Sequence, residues 1–130
     1  MPGYTTSVTA TADTALVTTA ETVVATLTGC STSGPGKPVR LTGEFQITLG
    51  TNATGLTVRI RRDSLTGTLV GEANAVQIET AAASTEDHDI EVTDTPTGEI
   101  FNATYVLTVQ QVAASANGSV LQAFLKAQCE

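Results

Sequence analysis

His88 is the single histidine of the chain, and four carboxylates flank it in the sequence, namely Glu86, Asp87, Asp89 and Glu91. Nucleophilic hydrolysis requires a nucleophile, a base and a group that orients the base, all held within hydrogen-bonding reach. Neighbouring residues of an extended chain point to opposite sides, so Asp87, His88 and Asp89 do not form such a relay by adjacency. The sequence also contains no Gly-x-Ser-x-Gly nucleophile elbow. We therefore expect no catalytic residues and no enzymatic activity.

The same acidic segment is the best candidate in the sequence for a divalent-cation site. Calcium takes several oxygen ligands on a flexible loop, and Asp87, Asp89 and Glu91 could supply them. The segment lacks the spacing of an EF-hand loop, however, and acidic loops are usually solvated. We expect residues 84–89 to form a solvated loop, with no bound metal and no other cofactor.

The charge balance bears on possible partners. Thirteen acidic residues against six basic ones give a net charge of -7, which argues against nucleic acid as a partner because phosphate binding needs a dense basic patch. Arg59, Arg61 and Arg62 form the only basic cluster of the sequence. We expect it to be a solvated strand face or a face that pairs with another subunit.

Membrane insertion and export are not indicated. No stretch approaches the roughly 20 apolar residues of a membrane helix. The start, Met1 to Tyr4, has no basic region and no apolar run after it, as a signal peptide would. We expect a protein that is made in a cytoplasm, is not exported by the usual signal and has no membrane partner.

Cys30 and Cys129 are the two cysteines of the chain. Two thiolates cannot complete a structural metal site alone. In a cytosolic product we expect both to be free thiols. A disulfide is the alternative, if the final strand runs beside the segment around Cys30.

The elements that would position these residues are strands. From Val39 to Leu49 apolar and polar residues alternate, which gives a strand one buried and one solvated face. Turn signals separate about eight such segments, which predicts an all-β, antiparallel β-sandwich or barrel. The predicted strands are 22–28, 39–49, 56–61, 68–70, one around Val76 and Ile78, one around Ile90 and Val92, 103–110 and 119–129. The residues predicted to face inward are Val39, Leu41, Phe45, Ile47, Leu56, Val58, Ile60, Tyr105, Leu107 and Val109.

The first 20 residues are rich in Thr and Ala and show weak periodicity. A frayed terminus is one interpretation. The other is an extended arm that becomes ordered on a neighbouring subunit, because β-branched Thr favours extended backbone. We favour the arm and divide the chain into an arm, 1–20, and a folded domain, 21–130. The candidate partner-binding residues of the arm are Tyr4, Thr5, Thr6, Val8, Thr9 and Thr11.

The composition favours an oligomer. The chain has no Trp, 4 % aromatic residues and 15 % charged residues, against roughly 25 % charged in ordinary soluble proteins. A core without large aromatics buries less area per residue. We therefore expect surface that is buried between subunits.

Four segments resemble a known family: the strand 39–49, the loop 96–104, the strand Tyr105 to Val109, and Gln122-Ala123-Phe124-Leu125-Lys126 in the last strand. They look like the jelly roll of the tumour necrosis factor and complement globular-head superfamily. Within that fold the chain is similar to the small decoration, or cement, proteins of tailed bacteriophage heads. The resemblance implies a jelly roll of about eight strands, a homotrimer and a non-enzymatic role. It also implies the major capsid protein as partner and a place on the capsid surface of the virion.

A second class of function stays open. The chain could be the head domain of a phage tail fibre or spike whose loops bind a host receptor or a glycan. Co-purification with capsids would separate the two alternatives.

Overall fold

Strands are the main elements of the protein where its structure is described. The computed structural model describes residues 4–10, 14–15, 20–48, 55–77, 85–111 and 119–129. These ranges contain nine strands and no helix: β1 (Tyr4–Ala10), β2 (Thr14–Ala15), β3 (Thr22–Cys30), β4 (Val39–Thr48), β5 (Gly55–Arg62), β6 (Thr68–Gln77), β7 (Thr85–Asp94), β8 (Ala103–Gln111) and β9 (Ser119–Cys129). No helix in these ranges is long and apolar enough to cross a bilayer. The predictions for Thr11, Leu49 and Ile78 concern positions outside the described residues.

Two antiparallel sheets form a sandwich. Sheet A has the strand order β1-β9-β4-β7, with the short β2 also paired to β9, and sheet B has the order β3-β8-β5-β6. Most neighbouring strands of one sheet are distant in sequence, with the hairpin of β5 and β6 as an exception, and most connections cross from one sheet to the other as in a jelly roll. The predicted all-β antiparallel sandwich is confirmed.

The core lies between the sheets, where the alternating residues meet. In β4 every odd-numbered residue is buried and every even-numbered residue is partly or fully exposed, as the period of two requires. All ten residues predicted to face inward are at most 3 % exposed. A one-residue slip of register would have turned each of them outward.

The individual strands differ from the prediction in two places. The predicted strands at 68–70 and around Val76 are one strand, β6, which continues through Gly71. A Cβ at Gly71 would overlap Val92 of the opposite sheet, so the glycine permits close packing and does not mark a turn. The acidic segment predicted as a loop belongs to β7, because Glu86, His88 and Ile90 continue the inward positions of that strand.

The N-terminal segment is part of the sandwich in this structure. The sequence placed residues 1–20 outside the domain, whereas β1 pairs with β9 over seven residues, from Tyr4 opposite Cys129 to Ala10 opposite Ala123. The segment is extended, as its threonines suggested, but its backbone partner is in the same chain. The predicted role of an arm that attaches to a neighbour stays a prediction.

Cys30 and Cys129 form a disulfide, so the expectation of free thiols is wrong. Cys30 ends β3 in sheet B and Cys129 ends β9 in sheet A, with their Cα atoms 5.9 Å apart. This is an ordinary separation for a bridged pair. The alternative that the final strand runs beside the segment at Cys30 is the correct one, and the bond joins the two sheets.

Candidate interaction surfaces

The acidic residues around His88 divide between the two faces of β7. His88 points inward, where its ring lies 5.8 Å from that of Phe45 and its Nε2 atom is 3.0 Å from a carboxylate oxygen of Glu86. Asp87 and Asp89 point outward and are exposed. The contacts found for His88 include no hydroxyl nucleophile, so the arrangement has the form of a packed side chain with one acidic neighbour.

Asp87, Asp89 and Glu91, the candidate cation ligands, lie on the outer face of β7. Alternate residues of a strand stand about 7 Å apart, which spreads the three carboxylates along the face. Among the described residues no group of three or more His, Cys, Asp or Glu could hold a metal ion. Absence of a bound cation therefore remains the expectation, and a calcium titration checks it.

The outer face of sheet B carries a network of charges centred on Glu21, which precedes β3. The Glu21 carboxylate accepts hydrogen bonds from Arg61 at 2.8 and 3.0 Å, from Arg59 at 3.2 Å and from the Thr108 hydroxyl at 2.6 Å. Arg59 also pairs with Glu72 at 2.9 Å. Thr108 is fully buried although it lies on the outer face, because this network covers it.

The electrostatics of Glu21 follow from these contacts. Burial by itself raises the pKa of Glu21, but the hydrogen bonds from Arg61 and Thr108 and the charges of Arg61 and Arg59 outweigh it. The net pKa lies below the usual glutamate value. Two of the three arginines of the basic cluster are therefore neutralised by ion pairs on this face.

The third arginine joins the two sheets. Arg62 donates two hydrogen bonds of 2.8 Å to the Asp94 carboxylate, which also accepts one of 2.8 Å from the Tyr105 hydroxyl. Asp94 and Tyr105 are both buried, and burial, followed by the hydrogen bond to Asp94 and then the Asp94 charge, raises the pKa of Tyr105 far above its usual value. A buried carboxylate is tolerated when it is paired and hydrogen-bonded in this way. We assign this cluster a structural role.

The outer face of sheet A is different, because most of its charges lie in two groups, with Glu91 in the same row as Lys126. We define the basic pole as Arg40 and Lys126 and the acidic pole as Glu44, Asp87 and Asp89. The alternation of the strands places all five on the outer face. No ion pair of any of them is found within the described part of the chain, whereas the charges of the sheet B network are paired.

Two open clefts lie on this face. One, of about 350 Å³, surrounds the acidic pole and is lined by Phe124, Gln46 and Gln122 as well. The other, of about 560 Å³, surrounds the basic pole and includes Glu91 and Gln128. The ammonium group of Lys126 lies 5.3 Å from the centre of the Phe124 ring. The face therefore combines an aromatic ring, amides and separated charges, which are groups suited to contact with another molecule.

The loop before β8 presents a large apolar side chain to solvent. Phe101 is 85 % exposed. The loop is fastened on both sides of it, because Ile100 exchanges hydrogen bonds with Thr32 and the Asn102 amide donates to the Ser31 hydroxyl. Aromatic side chains held in place on a surface are typical anchors of protein interfaces. Sequence reasoning missed Phe101, since an aromatic residue in a loop does not indicate exposure.

The structure places five of the six arm candidates in one strand. Tyr4, Thr5, Thr6, Val8 and Thr9 lie in β1 at the edge of sheet A, and Thr11 lies outside the described residues. The strand contains no charged residue and no proline. Such edges are open to pairing with further strands.

Comparison with known proteins identifies the fold. No protein-family model and no curated protein matches the chain. Among solved structures, the VP2 subviral particle of infectious bursal disease virus superposes with a TM-score of 0.66 and 10 % identity, over 98 % of this chain and 33 % of that chain. The T13 particle of the same virus gives 0.62 and 11 %, over 98 % of this chain and 31 % of that chain. The chain thus has the β-fold of a viral capsid-type protein and spans about a third of those chains' length.

The same fold occurs outside viruses. Dimeric latent PorU from Porphyromonas gingivalis superposes with a TM-score of 0.51 and 9 % identity, over 100 % of this chain and 13 % of that chain. Function therefore has to be argued from the surfaces of this chain.

Proposed function

We propose that the chain is a non-enzymatic structural protein of a virus particle, a trimeric decoration protein on the head of a tailed phage. The observation that carries the proposal is the likeness to VP2, which extends over nearly the whole chain. The ion pairs and packed contacts of Glu21, His88 and Asp94 support a structural use of these residues. Its major partner is then the major capsid protein.

Two surfaces of the chain support contact with a capsid. Phe101 is nearly fully exposed on a fastened loop. The uncharged β1 lies at a sheet edge, where extended peptides add to sheets through backbone hydrogen bonds. We propose that the loop provides an anchor and that the segment around β1 contacts a neighbouring subunit, as the candidates Tyr4 to Thr11 suggest.

The disulfide is consistent with a protein that functions outside a cell. Disulfides persist in oxidising surroundings and are rare in the cytosol, so the bond between Cys30 and Cys129 fits a protein that is exposed on a released particle. A bond that joins the two sheets also compensates for a core poor in aromatic residues.

The test is the composition of purified heads. Mass spectrometry of purified particles should find the chain in a fixed ratio to the major capsid protein. Native mass spectrometry of the isolated protein should give three times 13.3 kDa. Absence from particles would refute the role, and a monomer at tens of micromolar would refute only the trimer.

A second function is favoured by one observation. The cleft around the acidic pole brings an aromatic ring together with amide and carboxylate groups, which are groups that hold sugars. The chain would then be the head of a tail fibre or spike that binds a receptor or glycan. A glycan array distinguishes the two, because binding that is lost in Phe124→Ala favours the fibre and absence of binding favours the decoration protein.

A further inference from the structure

The outer face of sheet A carries charges that form no ion pair among the described residues. Glu44 lies directly opposite Asp89 across β4 and β7, and Asp87 follows one row further along. Like charges directly opposite in a sheet destabilise it. A positive group brought from outside would relieve this repulsion.

A matching positive group lies on the same face. Arg40 is on the same strand as Glu44, four residues earlier, and Lys126 is on β9 one row from Arg40. At about 3.4 Å per residue Arg40 and Glu44 are roughly 13 Å apart, whereas Lys126 stands diagonally one row from Glu44 on the adjacent strand. No ion pair between the two poles is found among the described residues, so both remain available for pairing between two copies.

We propose that a second copy of this chain docks face to face on sheet A, with the basic pole of each copy on the acidic pole of the other. A twofold axis that crosses the strands obliquely exchanges the poles, so both contacts form at once in a closed pair. Phe124 is half-buried beside both poles and adds apolar area at the contact. The proposal goes beyond the proposed function and does not depend on it.

The size of the face fits a weak, reversible pair. It is four strands wide and about ten residues long. Such a face measures roughly 20 by 30 Å and buries roughly 600 Å² on each partner, at the lower end for specific interfaces. We expect a Kd on the order of 10 μM that rises with salt, because the attraction comes from exposed charges.

Reversal of the poles tests the proposal. The variant Arg40→Glu/Lys126→Glu has two acidic poles, and Glu44→Lys/Asp89→Lys has two basic poles. Sedimentation equilibrium should show self-association weakened about tenfold or more in each variant, by the sum of several weak ion pairs. A 1:1 mixture of the two should associate again. Thermal unfolding of each variant confirms that it is folded.

Three results would overturn the proposal. The first is a wild-type protein that is monomeric at hundreds of micromolar, and the second is association that neither variant changes. The third is calcium binding by calorimetry that Glu44→Lys/Asp89→Lys abolishes, since the acidic pole would then be a cation site.

Discussion

Glu21 has no apolar periodicity and no motif around it, yet it organises one whole face of the protein. Its partners Arg59, Arg61 and Thr108 are 38 to 87 residues away in sequence. Sequence reasoning recognised the arginines as a strand face but could not predict their partners. The register of β3, β5 and β8 determines which side chains are in contact. Local sequence patterns do not reveal residues whose partners are distant in sequence.

Glu21→Gln should weaken the fold, and more so at neutral than at acid pH. The folded-state pKa of Glu21 is lowered, so its stabilisation is present above the unfolded value of about 4.3 and is lost as the pH falls through the folded value. We expect a loss of about 1 to 2 kcal/mol at pH 7, reduced by partial exposure of the pair. Urea unfolding of both proteins at a series of pH values measures this loss in the free energy of unfolding.

The control for this variant is Glu99→Gln, since Glu99 is exposed in the loop before β8. The variant should unfold like the wild type at neutral pH. A Glu21→Gln deficit that persists unchanged below pH 3 would show that the charge is not its origin.

Phe101→Ala should leave the fold intact and weaken attachment. The ring is 85 % exposed, so its removal should change the free energy of unfolding by less than about 0.5 kcal/mol. Phe45→Ala, at a ring that is 3 % exposed, is the matched control and should cost about 3 to 5 kcal/mol. Retention of Phe101→Ala on capsids, measured by co-sedimentation, should fall. Full retention would remove this loop from the contact.

At the scale of elements, the alternating strands could be predicted and the exceptions could not. The pattern of β4, β5 and β8 led to the correct inward residues. The pattern was insufficient for β7, where polar Glu86 and His88 occupy inward positions near the sheet edge. It was also insufficient for β1, whose threonines suit a strand and an arm equally. The expected number of eight strands thus omitted two strands, β1 and β2, and counted one strand, β6, twice.

Deletion of residues 2–10 should destabilise the protein. It removes a strand paired over seven residues and uncovers the edge of β9, and for a domain of this size each kcal/mol lost lowers Tm by about 4 °C. We expect a fall of several degrees, measured by calorimetry, and partial recovery when a peptide of residues 2–10 is added. An unchanged Tm combined with lost capsid retention would instead show an arm outside the sandwich.

For the whole molecule, the disulfide is a covalent constraint that joins one sheet directly to the other. Its cysteines are 99 residues apart in sequence, and closure of so long a loop stabilises by about 4 to 5 kcal/mol in the chain-entropy model. The double variant Cys30→Ser/Cys129→Ser should lose most of this stabilisation, as measured by guanidinium unfolding. Thiol titration of the denatured wild type should find free thiols only after reduction. Free thiols before reduction would contradict the bond.

The bond also shows why whole-molecule properties escaped prediction. Pairing depends on which strand ends coincide in space, and that follows only from the topology. The same holds for the two charged poles, which come from β4, β7 and β9 and are adjacent only in the folded sheet.

Cryo-electron microscopy of heads from the source particle tests the central claim most directly. The account predicts density for this jelly roll at regular positions on the outer capsid surface, in groups of three, with the Phe101 loop or the β1 edge against the shell. Density confined to the tail tip would support the fibre head instead. Heads that lack the chain altogether would contradict a structural role on the capsid.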